Sequence, residues 1–337
     1  MSRDRQADSM RSRPSASEPD HLPVMCAEVV QLMAPASGGL IVDCTLGSGG
    51  HAEALLNELE PPIDLIGLDK DEAAIARAKS RLSQFGSRAD LEHADFDDLE
   101  AVLQQKSKQD VAGILYDLGV SSPQLDRAER GFSYQRSGPL DMRMDASAPG
   151  ISAREVVNEY EEAQLEKVIS RFGDETSARR IAKEIVASRP IATTGELAEV
   201  VTRAIPAAKR RSGRHPARKT FQAIRIEVNG ELDRLESSLS QAARVLKSPG
   251  GRIVAISYHS LEDRVVKAFI ASMSKGCVCP PRLPACACGR EPLMRPVTRR
   301  PMRPSAREIR SNRRAASARL RCAERTAAPA RDGASDG

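Results

Sequence analysis

The chain reads as an α/β protein whose parallel, doubly wound sheet is interrupted by a helical insert. Three observations predict this. Short apolar runs alternate with amphipathic stretches between residues 39 and 117, with connections too short for anything but strand–helix–strand units. The alternation stops near residue 124 and gives way to helical spacing, and a strand pattern returns at Arg252–Ser257. The size agrees, since 337 residues at 40% hydrophobic and 29% charged can bury a full core in a globular chain. No run approaches the ~18 uninterrupted apolar residues of a membrane span, so no membrane partner is expected. Residues 1–20 contain no apolar stretch that could act as a secretory signal, which leads to the expectation of a cytoplasmic protein.

Each element has a local justification. Residues 1–20 are rich in Ser, Arg, Asp and Pro and read as a disordered tail; a transit peptide competes, but Asp4, Asp8, Glu18 and Asp20 offset its arginines. Gly39–Leu46 is an apolar run ending in a glycine-rich turn, and His51–Glu60 has apolar residues at helical spacing. Asp64–Asp69 is a second strand, Asp71–Gln84 a second helix, and Ala89–His93 and Val111–Asp117 are further strands. Residues 125–149 are polar, and Ala153–Val201 shows helical spacing punctuated by Gly173, Pro190 and Gly195. One long amphipathic helix is predicted from Arg218 to Leu246, followed by a strand at Arg252–Ser257, a helix at Leu261–Met273 and a last strand at Ala318–Glu324. The expected organisation is a first sheet portion at 21–124, a helical insert at 125–215, a second sheet portion at 216–325 and a disordered tail at 326–337.

Charge is distributed unevenly. Residues 1–150 hold 15 Lys+Arg against 25 Asp+Glu, and the remainder 36 against 21, so a net +5 conceals halves of −10 and +15. Arginine supplies 40 of the 51 basic residues, which suits either a phosphate-binding surface or a genome that favours Arg codons. Arg295, Arg299, Arg300, Arg303, Arg307, Arg310, Arg313 and Arg314 form a basic segment with few aromatics, a composition for phosphate contact and shape reading rather than base stacking.

Asp43–His51 follows a strand and opens a helix, where glycines let backbone approach a ligand that a Cβ would repel. No Lys or Arg occurs between residues 43 and 69, so this is no phosphate-binding Walker loop, and Gly47-x-Gly49-Gly50 matches the dinucleotide fingerprint only in part. S-adenosylmethionine fits better, because its sulfonium cation and amino-acid zwitterion suit an acidic, glycine-lined pocket. Asp69, at the end of the second strand, is placed to accept from both ribose hydroxyls. A structural glycine turn with a capping Asp is the competing reading. Phe96 after the third strand could stack on adenine, with Asp95 accepting from its amino group, or serve simply as core. The fourth strand ends at Asp117, followed by Ser121-Ser122-Pro123-Gln124; an acceptor here could hold the protons of an exocyclic amine for direct displacement.

Several long motifs then occur in order: His21-x-Pro-Val-Met25, Asp43-x-Thr-Leu-Gly-x-Gly-Gly-His51, Asp117-Leu-Gly-Val-Ser-Ser-Pro-Gln-Leu-Asp126 and Glu129-Arg-Gly-Phe-Ser133. They continue with Gly138-Pro-Leu-Asp-Met-Arg-Met-Asp145, Thr220-Phe-Gln-Ala-Ile-Arg225, Val228-Asn-x-Glu-Leu232 and Ser257-Tyr-His-Ser-Leu-Glu-Asp-Arg264. Together they resemble the bacterial 16S ribosomal RNA cytosine-N4 methyltransferase family over residues 21 to 325. The resemblance implies a class I, Rossmann-like S-adenosylmethionine-dependent methyltransferase sheet with an inserted helical domain. It implies methylation of the N4 amine of one cytidine in the decoding centre, with 16S rRNA or the small ribosomal subunit as partner. It assigns cofactor contacts to Gly49, Gly50, His51, Asp69, Phe96, Asp117 and Gln124. A catalytic acceptor role for Asp117 is added here on chemical grounds. A DNA or protein methyltransferase, and an RNA-binding or ribosome-assembly protein with a vestigial cofactor fold, are the other readings. Monomer and homodimer both stay open.

Three residues are candidate substrate contacts. Arg143 lies in a Gly/Pro-bounded loop after the fourth strand, Arg218 stands at a predicted helix start, and His259 with Tyr258 follows the fifth strand beside a capping pattern at Ser260 and Asp263. The competing readings are a self-paired loop, a solvated linker and an ordinary cap. Cys277, Cys279, Cys286 and Cys288 have the number and clustering of a structural zinc site.

Overall fold

A computed structural model describes residues 23–119, 125–207, 215–277, 279 and 288–329. After α1 (Cys26–Met33), β1 (Leu40–Asp43), α2 (Gly50–Glu58), β2 (Asp64–Asp69), α3 (Glu72–Leu82), β3 (Ala89–His93), α4 (Leu99–Gln105) and β4 (Val111–Asp117) alternate as the sequence predicts. The helical portion holds α5 (Ala153–Glu159), α6 (Glu162–Gly173), α7 (Ala178–Ala187), α8 (Thr194–Ala204) and α9 (Arg218–Asn229). The chain returns through α10 (Glu231–Val245), β5 (Arg252–Ser257), α11 (Ser260–Met273), β6 (Met294–Pro296), α12 (Ala306–Ser311) and β7 (Arg319–Arg325).

The seven strands form one sheet in the order β3-β2-β1-β4-β5-β7-β6. The first five are parallel, and β7 runs antiparallel between β5 and β6. This is the doubly wound, mostly parallel α/β sheet that the sequence predicts. Strand order reverses between β1 and β4, so a crevice opens beyond their carboxyl ends, at Asp43 and Asp117. Both faces of the central strands are buried, which is why β1, β2, β4 and β5 read as apolar runs. Ile41, Leu65, Leu115 and Val254 pack with Val29, Leu55 and Ile75 on one face. Val42, Ile66, Ile114 and Ile253 pack with Leu99, Leu239 and Val266 on the other.

The helical portion has a core of its own, built from Leu165, Ile169, Ile181, Ile185, Leu197 and Val201, and it takes in Phe221 and Ile224 of α9. The single helix expected from Arg218 to Leu246 is therefore two. Gly230, at φ 58°, ends α9 and starts α10, because α9 turns its apolar side to the helical core while α10 sends Leu235, Leu239 and Ala242 to the sheet. Apolar spacing continues across the break and hides it. Asn229 straps the preceding loop to this corner: its Oδ1 accepts from the Met144 N–H and its Nδ2 donates to Met142 O, both at 2.8 Å.

Candidate active site

The carboxyl edge of the sheet is built around the turn between β1 and α2. Gly47 and Gly49 hold φ of 55° and 81°, a region side chains rarely adopt. A Cβ on Gly47 would meet only Thr45 O, at 3.9 Å, so it would project into open space above the turn; on Gly49 it would meet Leu82 Cδ1 at 3.3 Å instead. Gly47 thus shapes the cradle and Gly49 lets α3 pack close. Gly50 begins α2, where a Cβ would meet Pro23 and the Arg81 side chain. The Gly47 N–H donates to Asp69 Oδ2 and the Asp71 N–H to Asp69 Oδ1, each at 2.8 Å. Two of the roughly four acceptor positions on the Asp69 carboxylate are used in this way, which leaves acceptor capacity facing the cradle.

Three acids end adjacent strands here. Asp43 is buried, accepts the Thr45 N–H at 3.1 Å, and is pushed up to about 7 by that burial. Burial also raises Asp69, against the two amide donors that favour its charge, and raises Asp117 against His51 and Tyr258. Asp117 is held from three sides. Its N–H donates to Thr45 Oγ1 at 2.6 Å, the Tyr258 hydroxyl donates to Oδ1 at 2.7 Å, and His51 Nδ1 lies 3.5 Å from Oδ2. His51 Nε2 meets the Val24 carbonyl at 2.9 Å, a contact in which Nε2 carries the hydrogen.

Phe96 packs edge-on to Tyr116 with ring centroids 6.3 Å apart and is half-buried. Asp95, considered as an adenine acceptor, is already engaged by cations. It is buried and neutralised by Arg234 Nη1 at 2.6 Å and Lys70 at 3.5 Å, contacts that bring α10 and the end of β2 together. Gln124, with Ser121, Ser122 and Pro123, lies outside the described residues.

The loops around the edge are fastened by charge pairs. Arg143 turns its fork onto Asp141, with Nε–Oδ1 at 3.1 Å and Nη2–Oδ2 at 2.9 Å. Arg130 ties the same loop to the edge, donating to Asp71 Oδ2 at 3.1 Å and to Met144 O at 2.8 Å. Arg218 is the first residue of α9, and the neighbouring Lys219 donates to Asp174 O at 2.6 Å. The helix cap expected at Ser260 belongs instead to His259, whose Nδ1 accepts the Glu262 N–H at 3.4 Å. Ser260 reaches Asp174 Oδ2 at 3.0 Å, and Asp263 pairs with Arg319 and Arg321 of β7. Glu262 is the residue sequence reasoning missed. Its Oε2 accepts the Tyr258 N–H at 2.7 Å and the His259 N–H at 3.2 Å, while Oε1 lies 2.8 Å from His259 Nε2 and 3.9 Å from Arg225. Burial alone would raise Glu262, but His259 and Arg225 outweigh it and hold the carboxyl low. Only its i+3 relation to His259 signals this in the sequence.

All eight arginines of the basic segment are exposed; Arg295 pairs with Glu324 and Arg314 with Asp126. The sulfurs of Cys277, Cys279 and Cys288 lie within 4.8 Å of one another, while Cys286 is outside the described residues.

Among the described residues no helix is long and apolar enough to cross a membrane. The family model of the MraW methylase family matches residues 18–326. The chain is 49% identical, over 89% of its length and 95% of the relative's, to Ribosomal RNA small subunit methyltransferase H of Symbiobacterium thermophilum. It is also 49% identical to the protein of that name from Thermobifida fusca, covering 92% and 95%. Among solved structures it matches an rRNA methylase from Streptococcus thermophilus at TM-score 0.38 and 12% identity, covering 89% and 95%. It matches Aeropyrum pernix fibrillarin with natively bound S-adenosyl-L-methionine at TM-score 0.38 and 8% identity, covering 88% and 72%. With a family model spanning almost the whole chain and relatives near half identity, the chain belongs to the MraW methylase family.

Proposed function

We propose that this chain methylates the N4 exocyclic amine of a cytidine in the decoding centre of 16S rRNA, using S-adenosylmethionine and no covalent enzyme intermediate. The ribosomal RNA substrate is supported by the names of the relatives. The observation that carries the cofactor reading is the Gly47 cradle flanked by Asp43, Asp69 and Asp117, acids that no Lys or Arg neutralises by an ion pair among the described residues. S-adenosylmethionine supplies an electrophilic methyl group on a cationic sulfonium, and such a cation is what a desolvated acidic edge binds.

The residues then divide the work. Asp69 would accept from the ribose hydroxyls, Phe96 would pack on the adenine, and Gly49, Gly50, His51 and Gln124 would hold the rest of the cofactor. Asp117 accepts a hydrogen bond from the N4 amine, a role its hydrogen bond from Tyr258 and its contact to His51 orient. The base is unstacked to reach the edge. Arg143 and His259 hold the two loops that flank it, Arg218 meets phosphate, and the exposed arginine segment holds the RNA. Thiol chemistry plays no part. Burial pushes the Cys26 thiol up to about 11 and that of Cys44 higher, so both stay protonated and non-nucleophilic at neutral pH.

The test incubates the full chain with methyl-labelled S-adenosylmethionine and small subunits from cells lacking the activity, then digests the RNA to nucleosides. Label in N4-methylcytidine is expected. Label in another nucleoside, or none while calorimetry shows the cofactor bound, overturns the substrate assignment.

A further inference from the structure

Residues 274–293 leave the end of α11 and return at β6, and the two ends are joined where the Leu293 N–H donates to Met273 O at 2.8 Å. Both ends belong to the amino edge of the parallel strands. Met294 pairs with Arg325, and the Arg325 N–H donates at 2.7 Å to Gly251 O, just before β5 begins. The excursion therefore starts from the side of the sheet opposite Asp69 and Asp117.

Between Ser274 and Arg290 the sequence offers Val278 and Leu283 as its only sizeable aliphatic residues. What the structure brings together instead is sulfur. The Cys277, Cys279 and Cys288 thiols converge within 4.8 Å, and none of the three is in a disulfide. A disulfide joins two sulfurs at about 2.05 Å and has no place for a third. Four-coordinate zinc holds thiolates at about 2.3 Å, which spaces tetrahedral sulfurs about 3.8 Å apart, inside the observed envelope. The Cys279 N–H donates to Cys277 Sγ at 3.4 Å, a bond stronger to a thiolate than to a thiol. No Asp or Glu occurs from residue 274 to 290, whereas Lys275, Arg282 and Arg290 do, so the local charge offsets a cluster of metal-bound thiolates.

We propose that Cys277, Cys279 and Cys288 bind a structural zinc ion that staples residues 274–293 between α11 and β6, away from the methyl-transfer edge. Each thiol gives up its proton on binding, and the ion supplies the ordering energy that a core would otherwise provide.

The experiment uses the full chain, purified under reducing conditions. Elemental analysis is expected to find stoichiometric zinc, released on titration with a thiol-blocking mercurial. Cobalt(II) added after zinc removal is expected to give the thiolate charge-transfer and tetrahedral ligand-field bands. The variant C277S/C279S/C288S is expected to lose both metals and to become sensitive to protease between residues 274 and 293, with S-adenosylmethionine affinity within twofold of the parent. Absence of zinc together with absence of cobalt bands in the reduced parent overturns the site, and so does zinc retained by the variant. Should the variant fail to fold, the parent measurements alone decide. None of these readouts depends on the RNA substrate.

Discussion

Two sets of buried carboxyls, separated by only a few residues of β5 and α11, experience opposite environments. Asp43, Asp69 and Asp117 at the crevice are raised by burial, which outweighs the amides, the hydroxyl, His51 and, for Asp69, the nearby Lys70 charge that favour ionisation. For Asp263, by contrast, burial is outweighed by Arg321 and Arg319, and for Glu262 by His259 and Arg225, so both are lowered. Asp263 and Glu262 are thus ion-paired where they join elements, whereas among the described residues no Lys or Arg forms an ion pair with Asp43, Asp69 or Asp117. A raised carboxyl costs about 1.4 kcal/mol per pKa unit when it must ionise, a cost that a bound sulfonium offsets. The charge difference between the two halves of the sequence is, at this scale, a difference between acids with and without arginine.

The largest expected effect breaks the paired set. Asp263→Ala leaves Arg319 and Arg321 without their shared carboxylate and should cost about 3 kcal/mol, toward the low end for a buried pair because Arg319 is 34% exposed. Urea unfolding at constant m measures it; an unchanged midpoint means the pairing contributes nothing. Next, Asp69→Ala should weaken S-adenosylmethionine about 100-fold by calorimetry, equivalent to about 2.7 kcal/mol. Asp117→Asn tests chemistry within the unpaired set. A fall in kcat of about tenfold at saturating cofactor is expected, and unchanged kcat with weaker cofactor binding would reduce Asp117 to a binding contact.

The pH dependence separates the sets by sign. A raised acid stabilises the fold at low pH and loses that contribution as pH climbs through its folded value, so Asp43→Asn should gain stability relative to the parent as pH rises toward and past about 7. The lowered Asp263 and Glu262 work in reverse, stabilising above the ordinary carboxylate range and losing that contribution as pH falls through their depressed values. Cofactor affinity should tighten as pH rises through about 7, by less than tenfold per unit, and Asp43→Asn should flatten this rise. Calorimetry across that range would detect a flat parent profile, which removes Asp43 from the linkage. The smallest effect concerns the exposed arginines: replacing Arg299, Arg300 and Arg303 by Gln should lower the salt slope of RNA binding by up to about 0.7 per lost contact, with cofactor affinity unmoved.

The first part of the sheet was legible because β1, β2 and β4 are apolar runs closed by an acid, as in Asp64–Asp69 and Val111–Asp117. The acids marked the crevice for the same reason, since a charged residue ending a buried strand has to face something. What stayed hidden depends on distance along the chain or on unusual chemistry. Tyr258 and Asp117 meet across 141 residues. The Gly230 break leaves the apolar spacing intact on both sides. His259 caps a helix with a ring nitrogen, where Ser, Thr, Asp or Asn is the usual choice, so Ser260 drew the assignment. Asp95 looked available because Arg234, its partner, is 139 residues away.

The position of the helical portion has a consequence for synthesis. The central strand β4 ends at Asp117, and its partner β5 begins only at Arg252. Until the second is made, one whole ladder of β4 amides and carbonyls is an open edge, and pairing it requires a closure of high contact order. Fragments that stop within the helices should therefore aggregate through β4, and a nascent chain should become protease-resistant only once β5 has left the ribosome.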